Sequence, residues 1–311
     1  MITLQRYTSA DKTCWDDFVR NAKNGLFMFF RDYMEYHSDR FTDYSLLFWD
    51  DDSLLAVLPA SLHGQEVRSH GGLTFGGIIS GENMKTAKML ECFQLLLTFL
   101  REQNITKLVY KAIPYIYTNL PAEEDRYALF INNARHFKVE PSSTILFENR
   151  LSLPKGRKAQ ISRAKREGVN VEQSIDFDQF IALENQVLQK RHNTTAVHTA
   201  SELRYLQQKF PDNIQLYAGM YQGKMIAATL LFVYKDLVHT QYLASNEVGQ
   251  RIGALDLVIS ECINKFKTEK KFFDFGISTE DNGRFLNNGL IFQKESFGGR
   301  AVIHETYILE I

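Results

Sequence analysis

Apolar positions along this chain follow two spacings, and the change from one to the other predicts the elements. Residues 44–49 and 54–62 are short apolar runs, separated by Asp50, Asp51, Asp52 and Ser53. Two strands joined by a turn are predicted there. Over residues 84–103 the spacing becomes helical, with Ala87, Leu90, Phe93, Leu97 and Leu100 on one face. Residues 107–112 read as the next strand. The second half keeps the same order. Strands at 215–220 and 225–233 flank a turn at 221–224, and a strand at 237–244 follows. A helix at 253–268 carries Leu255, Ile259, Cys262, Ile263 and Phe266, and a strand at 271–275 closes the series. Leu55-Ala56 falls on Ile226-Ala227 without a gap, turn on turn. A repeated unit of this kind predicts a duplicated mixed α/β (α+β) domain. Leu153, Pro154, Lys155 and Gly156 carry turn signals, which puts the boundary near Leu151.

Composition narrows the class. The chain has 311 residues, 44% hydrophobic and 23% charged, enough apolar surface to bury a core and too much for a disordered chain. A net charge of −1 makes the whole molecule no magnet for nucleic acid. DNA is not an expected partner, and any anion site must be a local patch. Cys14, Cys92 and Cys262 are too few and too scattered for a disulfide framework or a zinc site. The histidines show no metal-ligand spacing, so no metal is expected. No phosphate-binding P-loop and no Gly-x-Ser-x-Gly elbow occurs. The N-terminus is polar from the start, and the most apolar run, residues 225–234, is about half a membrane span. A cytoplasmic protein with no integral membrane segment is expected.

Several segments carry candidate chemistry. Residues 246–254 lie between a predicted strand and a predicted helix. A helix N-terminus presents unpaired N–H groups and the positive end of its dipole, and a glycine there lets a phosphate come close. Gln250, Arg251, Gly253 and Ala254 are therefore candidate ligands of a donor phosphate. The alternative is an ordinary turn with a solvent arginine. Asp274 stands among Phe272, Phe273 and Phe275, where partial desolvation would make it a better base near neutrality. Alternatively it caps a turn or pairs with a cation. Lys294, bracketed by Phe292 and Phe297 ahead of Gly298-Gly299, can bind a phosphate or neutralise a developing oxyanion, unless it is a surface lysine. The basic stretch at 155–166, with Arg157 and Arg163, faces either an anionic substrate or solvent. Arg31 and His37 stand among aromatics at 27–41, as an acceptor pocket or as part of an amphipathic helix.

Three of these segments resemble the Fem-type (FemAB-like) branch of the GCN5-related N-acyltransferase (GNAT) superfamily. Residues 157–169 resemble the basic helix that opens that family's second domain. Phe273, Asp274, Phe275 and Gly276 resemble its Asp-Phe-Gly strand end. Residues 289–299 resemble its closing Gly-Leu…Phe-Lys-x-x-Phe-Gly motif, with Lys294 two residues after Phe292 and three before Phe297. The resemblance implies two tandem acyl-CoA N-acyltransferase-like domains, residues 1–150 and 151–311. It implies transfer of an acyl group to an amine of a small molecule, glycan or peptide, in cell-envelope glycan or peptidoglycan precursor metabolism. Asp274 would be the base, and Lys294 would act at the oxyanion. The donor would be an acyl-coenzyme A, acetyl-CoA first, as co-substrate, with no tightly bound cofactor. Some family members use aminoacyl-tRNA and carry a long coiled-coil arm. Here the stretch before Lys209 holds no sustained heptads, so tRNA is the less favoured donor. An aminoacyl-tRNA-dependent transferase and a catalytically silent binding protein are the alternatives.

Overall fold

The first hairpin consists of Leu46–Asp50 and Ser53–Leu58, antiparallel with Leu46 opposite Leu58. In this computed structural model the backbone of all 311 residues is described, as are all side chains but those of residues 191 and 192. The second strand ends at Leu58 rather than at 62, because Pro59 has no N–H for the ladder. The chain re-enters a sheet as Ser61–His63. The second hairpin pairs Ile214–Tyr221 with Lys224–Val233. Its turn residues Gln222 and Gly223 have φ of 49° and 75°, as a two-residue hairpin turn requires. Both hairpins slip register at the same place. Phe48 faces Ala56 and Trp49 faces Leu54, leaving Leu55 extra. Gly219 faces Ala227 and Met220 faces Met225, leaving Ile226 extra. The Leu55-Ala56 and Ile226-Ala227 pairs matched in sequence thus mark a bulge shared by the two halves.

The order after each hairpin also repeats. The first half continues through Ile79–Ser80, the helix Thr86–Glu102, the strand Lys107–Lys111, the helix Glu124–Ile131 and the strand Arg135–Leu146. The second continues through Leu237–Ser245, the helices Glu247–Ile252 and Ala254–Phe266, the strand Phe272–Ile277, the helix Asn288–Glu295 and the strand Arg300–Glu310.

The chain forms two compact units, and their bounds differ from a single cut at 150/151. One unit is Met1–Pro141 with Thr279–Phe285 and Ile303–Ile311, and the other is Ser142–Ser278 with Leu286–Val302. The C-terminus returns to the first unit because Thr306–Glu310 pairs antiparallel with Lys107–Lys111.

In the first unit the helix Thr86–Glu102 buries Met89, Cys92, Phe93, Leu96 and Leu100 against Leu108, Tyr110, Tyr307 and Leu309. This face is rotated from the expected one: Ala87 is exposed, and Leu90 and Leu97 are only partly buried. In the second unit the helix Ala254–Phe266 buries Leu257, Val258, Ile259, Cys262, Ile263 and Phe266 on Ala227, Val238 and Phe273. Gly219 permits that contact, since a Cβ there would lie 2.9 Å from Val258 Cγ2.

Candidate active site

In the second unit the strands Leu237–Ser245 and Phe272–Ile277 run parallel but pair at only three positions: Leu237 with Phe272, Val238 with Phe273, and His239 with Asp274. Beyond His239 the longer strand keeps its antiparallel partner as far as Ser245, which faces Ala227. Its other edge gains no further pair from Phe272–Ile277. The antiparallel ladder slips between Leu230 and Leu231, leaving Gln241 extra, and such a bulge bends a strand. The result is a fork, joined at one end and open at the other. Backbone N–H and C=O groups along the open edge can bind an extended ligand. Thr240 stands just past the last pair, with a buried hydroxyl that lacks a hydrogen-bond partner.

Asp274 sits at the joined end and is wholly buried. Its Oδ1 accepts from the hydroxyls of Ser142 (2.5 Å) and Thr144 (2.6 Å). Its Oδ2 accepts from His239 Nδ1 (2.7 Å) and from the Gly276 N–H (3.2 Å). Four donors around one carboxyl suit the ionised form, which only accepts. Ser142 and Thr144 reach it together because alternate residues of a strand share a face, with Thr144 directly opposite Asp274. Gly276, at φ 75°, leaves room for the imidazole, whose Cε1 would lie 3.1 Å from a Cβ there. Asp274, the expected base, is thus ringed by four donors, one of them the His239 ring. With Nδ1 turned to the carboxylate, Nε2 is the ring's other hydrogen-bonding atom.

Lys294 lies in the helix Asn288–Glu295, whose start is capped by the Asn287 side chain accepting from Leu290 N–H at 3.0 Å. The lysine is 5% exposed. Its ammonium donates to the carbonyls of Gly276 (3.0 Å) and Ile277 (2.5 Å), fixing the end of the strand that carries Asp274. Burial pushes the ammonium down to about 8, against the opposing pull of Asp274. The two phenylalanines that bracket Lys294 in sequence differ in burial. Phe297 is buried and stacks on Phe275 at 5.6 Å, but Phe292 is 72% exposed.

A cavity of about 280 Å³ lies beside the open end of the fork, lined by Leu243, Ser245, Gly249, Gln250, Leu290 and Gln293 among others. Gln250 is tied back to the strand, donating to the Ser245 carbonyl at 2.8 Å. Arg157 also lines the cavity, but its donors are used within the unit. It pairs with Asp256, donates to Ser296 Oγ (3.1 Å from Nε) and to the Gln293 carbonyl (3.3 Å), and lies over the Phe297 ring at 4.3 Å. Arg157, expected as a substrate ligand, therefore joins three helices at the cavity wall.

The other candidates separate. Gly253 does not open a bare helix N-terminus. It links two helices at φ 79°, and its N–H donates to the Gly249 carbonyl. A Cβ on it would lie 2.7 Å from the Gln160 carbonyl of the helix Lys155–Arg166. Ala254 is fully buried behind it. Gly253 and Ala254, expected at a donor phosphate, are thus placed in close packing between helices. Arg251 and Arg163 are exposed.

In the first unit Arg31 is a core ion-pair residue. It bonds Glu35 and Asp43 at 2.8 Å each and Ser45 Oγ at 3.2 Å, and it lies 3.7 Å over the Tyr7 ring. Expected as an acceptor ligand, it is instead placed in the core with three of its donors on these partners. His37, the other expected acceptor ligand, is buried, its ring tilted at 37° to that of Tyr36 with centroids 3.5 Å apart and Arg40 3.4 Å away.

Sequence reasoning missed His239, Ser142 and Thr144. The available signal was weak: a histidine in the strand Leu237–Ser245 and two hydroxyls in the largely polar strand Arg135–Leu146. Among the described residues no group of three His, Cys, Asp or Glu could hold a metal, and no helix is long and apolar enough to cross a membrane.

No family model matches the sequence, and no curated protein matches it. Solved structures do. FemX is 10% identical, with a TM-score of 0.68 over 99% of this chain and 97% of its own. A domain assigned to a lysylphosphatidylglycerol synthetase of Agrobacterium fabrum is 12% identical, with a TM-score of 0.65 over 97% of this chain and 92% of its own. A tandem GNAT protein from the clavulanic acid biosynthesis pathway is 10% identical, with a TM-score of 0.53 over 100% and 98%. At such identities the likeness is one of fold, and the fold is that of FemAB-like, tandem GNAT proteins.

Proposed function

We propose that this chain is an N-acyltransferase whose acyl donor is bound in the second unit, at the fork between Leu237–Ser245 and Phe272–Ile277. The observation that carries the reading is the buried Asp274–His239 pair at the point where the two strands part. The donor is an acyl thioester such as acetyl-CoA, with its acyl arm along the open edge. The cavity of about 280 Å³ suits a short arm rather than a whole coenzyme. His239 Nε2 takes a proton from the acceptor ammonium, and Asp274 holds the ring and stabilises the imidazolium formed. The freed amine attacks the thioester carbonyl. The C–N bond forms, the carbonyl oxygen becomes an oxyanion, and the second amine proton is released. Collapse breaks the C–S bond, the thiolate leaves and takes up that second amine proton through solvent, and His239 returns its own proton to solvent. The charged Lys294 ammonium, with two of its three donors on backbone carbonyls, adds positive potential at the strand end where that oxyanion develops.

The acceptor is an amine on a small molecule, glycan or peptide. Cell-envelope precursors come first, on the precedent of a fold neighbour named for lysylphosphatidylglycerol synthesis. An assay of thiol release from acetyl-CoA, run against a panel of amines, tests the reading. Amine-dependent release lost in His239→Gln supports it. No release with any amine, together with transfer from charged tRNA, would replace the donor. Neither activity would leave a binding protein.

A further inference from the structure

One face of the sheet in the first unit carries positive charge that acyl transfer in the second unit does not use. Glu66–Arg68 runs parallel to Lys107–Lys111, with Glu66 opposite Lys107 and Arg68 opposite Val109. On the other side of Lys107–Lys111, Thr306 lies opposite Lys111 and Ile308 opposite Val109. Alternation along the pleat sends Val67, Leu108, Tyr110, Tyr307 and Leu309 into the core. The residues between them point the other way, into a cavity of about 380 Å³ that Phe137 and Lys138 help to line.

Charge in this cavity is unbalanced. Arg68, Lys107, Lys111 and Lys138 line it, with Glu66 as the one carboxylate. Glu66 is already shared by Arg68 (2.5 Å) and Lys107 (3.4 Å). No carboxylate among the described residues pairs with Lys111 or Lys138. The Lys111 ammonium donates to the Leu73 carbonyl, and burial followed by repulsion from Lys138 and Arg68 pushes it down to about 7. A half-buried ammonium without a counter-charge is costly, and a bound anion supplies what the fold omits.

We propose that this cavity binds a phosphate-bearing small molecule, with the phosphate between Lys111 and Lys138 and the apolar part of the ligand on Val109, Ile308 and Phe137. Two unmatched ammonium groups balance a phosphate dianion better than a single carboxylate, and lysine binds phosphate as a point charge. The volume exceeds that of a bare phosphate and falls in the range of small-ligand sites. The site is independent of the acyltransferase reading, because every residue in it belongs to the first unit.

Calorimetric titration of the full chain at low salt tests it, with inorganic pyrophosphate and orthophosphate as probes and succinate as the carboxylate control. Saturable binding of the phosphate probes is expected, at least tenfold tighter than succinate. Lys111→Gln and Lys138→Gln should each weaken it at least tenfold. Glu66→Gln should tighten it, because it releases Arg68 and Lys107. Lys138 makes no hydrogen bond or ion pair among the described residues, so its variant reads the site even if Lys111→Gln, which gives up the bond to the Leu73 carbonyl, fails to fold. Lys267→Gln, an exposed change in the other unit, should leave binding unchanged. Absence of saturable phosphate binding, or undiminished binding in Lys138→Gln, overturns the site. Equal affinity for succinate overturns the assignment to phosphate, and weaker binding in Glu66→Gln counts against the charge argument.

Discussion

His239→Gln keeps a polar side chain near the imidazole position but cannot take up a proton near neutrality. Loss of a general base costs about 10²–10⁴ in rate, so kcat should fall by that order while the donor KM stays within a few-fold. Asp274→Asn should follow it, since an amide cannot hold the imidazolium, and the pH profile of the remaining activity should change shape. A variant of either kind with full kcat would remove the pair from the reaction. Lys294→Met tests a different group. If its charge stabilises the oxyanion, kcat should drop by about a hundredfold, and wild-type activity should fall as pH rises through about 8, where the ammonium loses its proton. Stability should move the opposite way. The folded-state value lies below the free-lysine 10.5, so between about 8 and 10.5 the unfolded chain binds more protons, and stability rises with pH. Comparing urea midpoints of wild type and Lys294→Met across that window isolates the slope. A slope that persists in the methionine variant would assign it to another group. Asp274 was legible in sequence because a carboxylate among phenylalanines is conspicuous. His239 was not, because its role depends on a strand pairing with residues 35 positions away.

Helices and hairpins were legible where local chemistry decides them, and misread where a neighbouring element decides. Leu55 and Ile226 matched in sequence because each is the extra residue of an equivalent bulge. The helix at 84–103 was found within two residues at its start and one at its end, but its buried face was displaced, since packing partners rather than spacing choose among adjacent leucines. Gly253 shows the limit most clearly. A glycine before a helix reads as a phosphate turn, yet its reason here is φ 79° and the Gln160 carbonyl 2.7 Å from where a Cβ would stand. Gly253→Ala should therefore lose stability by more than about 1 kcal/mol, from the left-handed backbone alone, with more from displacement of the helix Lys155–Arg166. Denaturant midpoints should show this loss, while the donor KM of the folded fraction stays near the wild-type value. A raised KM at unchanged stability would return Gly253 to the donor site.

At the scale of the whole chain, the C-terminal residues belong to the first unit, and this sets which fragments can fold. Tyr307 and Leu309 are buried in its core, worth about 1.5–3 kcal/mol each. Thr306–Glu310 is also the antiparallel partner of Lys107–Lys111. Glu305 accepts from Arg126 at 2.5 Å and lies 3.0 Å from the imidazole of His136, and its carbonyl accepts from Ala112 N–H at 3.0 Å. Together these contributions approach the ~5–15 kcal/mol that keeps a whole domain folded. A fragment of residues 1–150 exposes the apolar edge that Tyr307 and Leu309 cover, and leaves the outer N–H and C=O groups of Lys107–Lys111 without a ladder. It should therefore show no single sharp thermal transition and should bind a hydrophobic dye. The same fragment with residues 300–311 appended through a flexible Gly/Ser linker should regain one cooperative transition, because the missing strand is then supplied at high effective concentration. If the bare fragment melts cooperatively at the temperature of the appended one, the C-terminal strand is not part of the first unit's core.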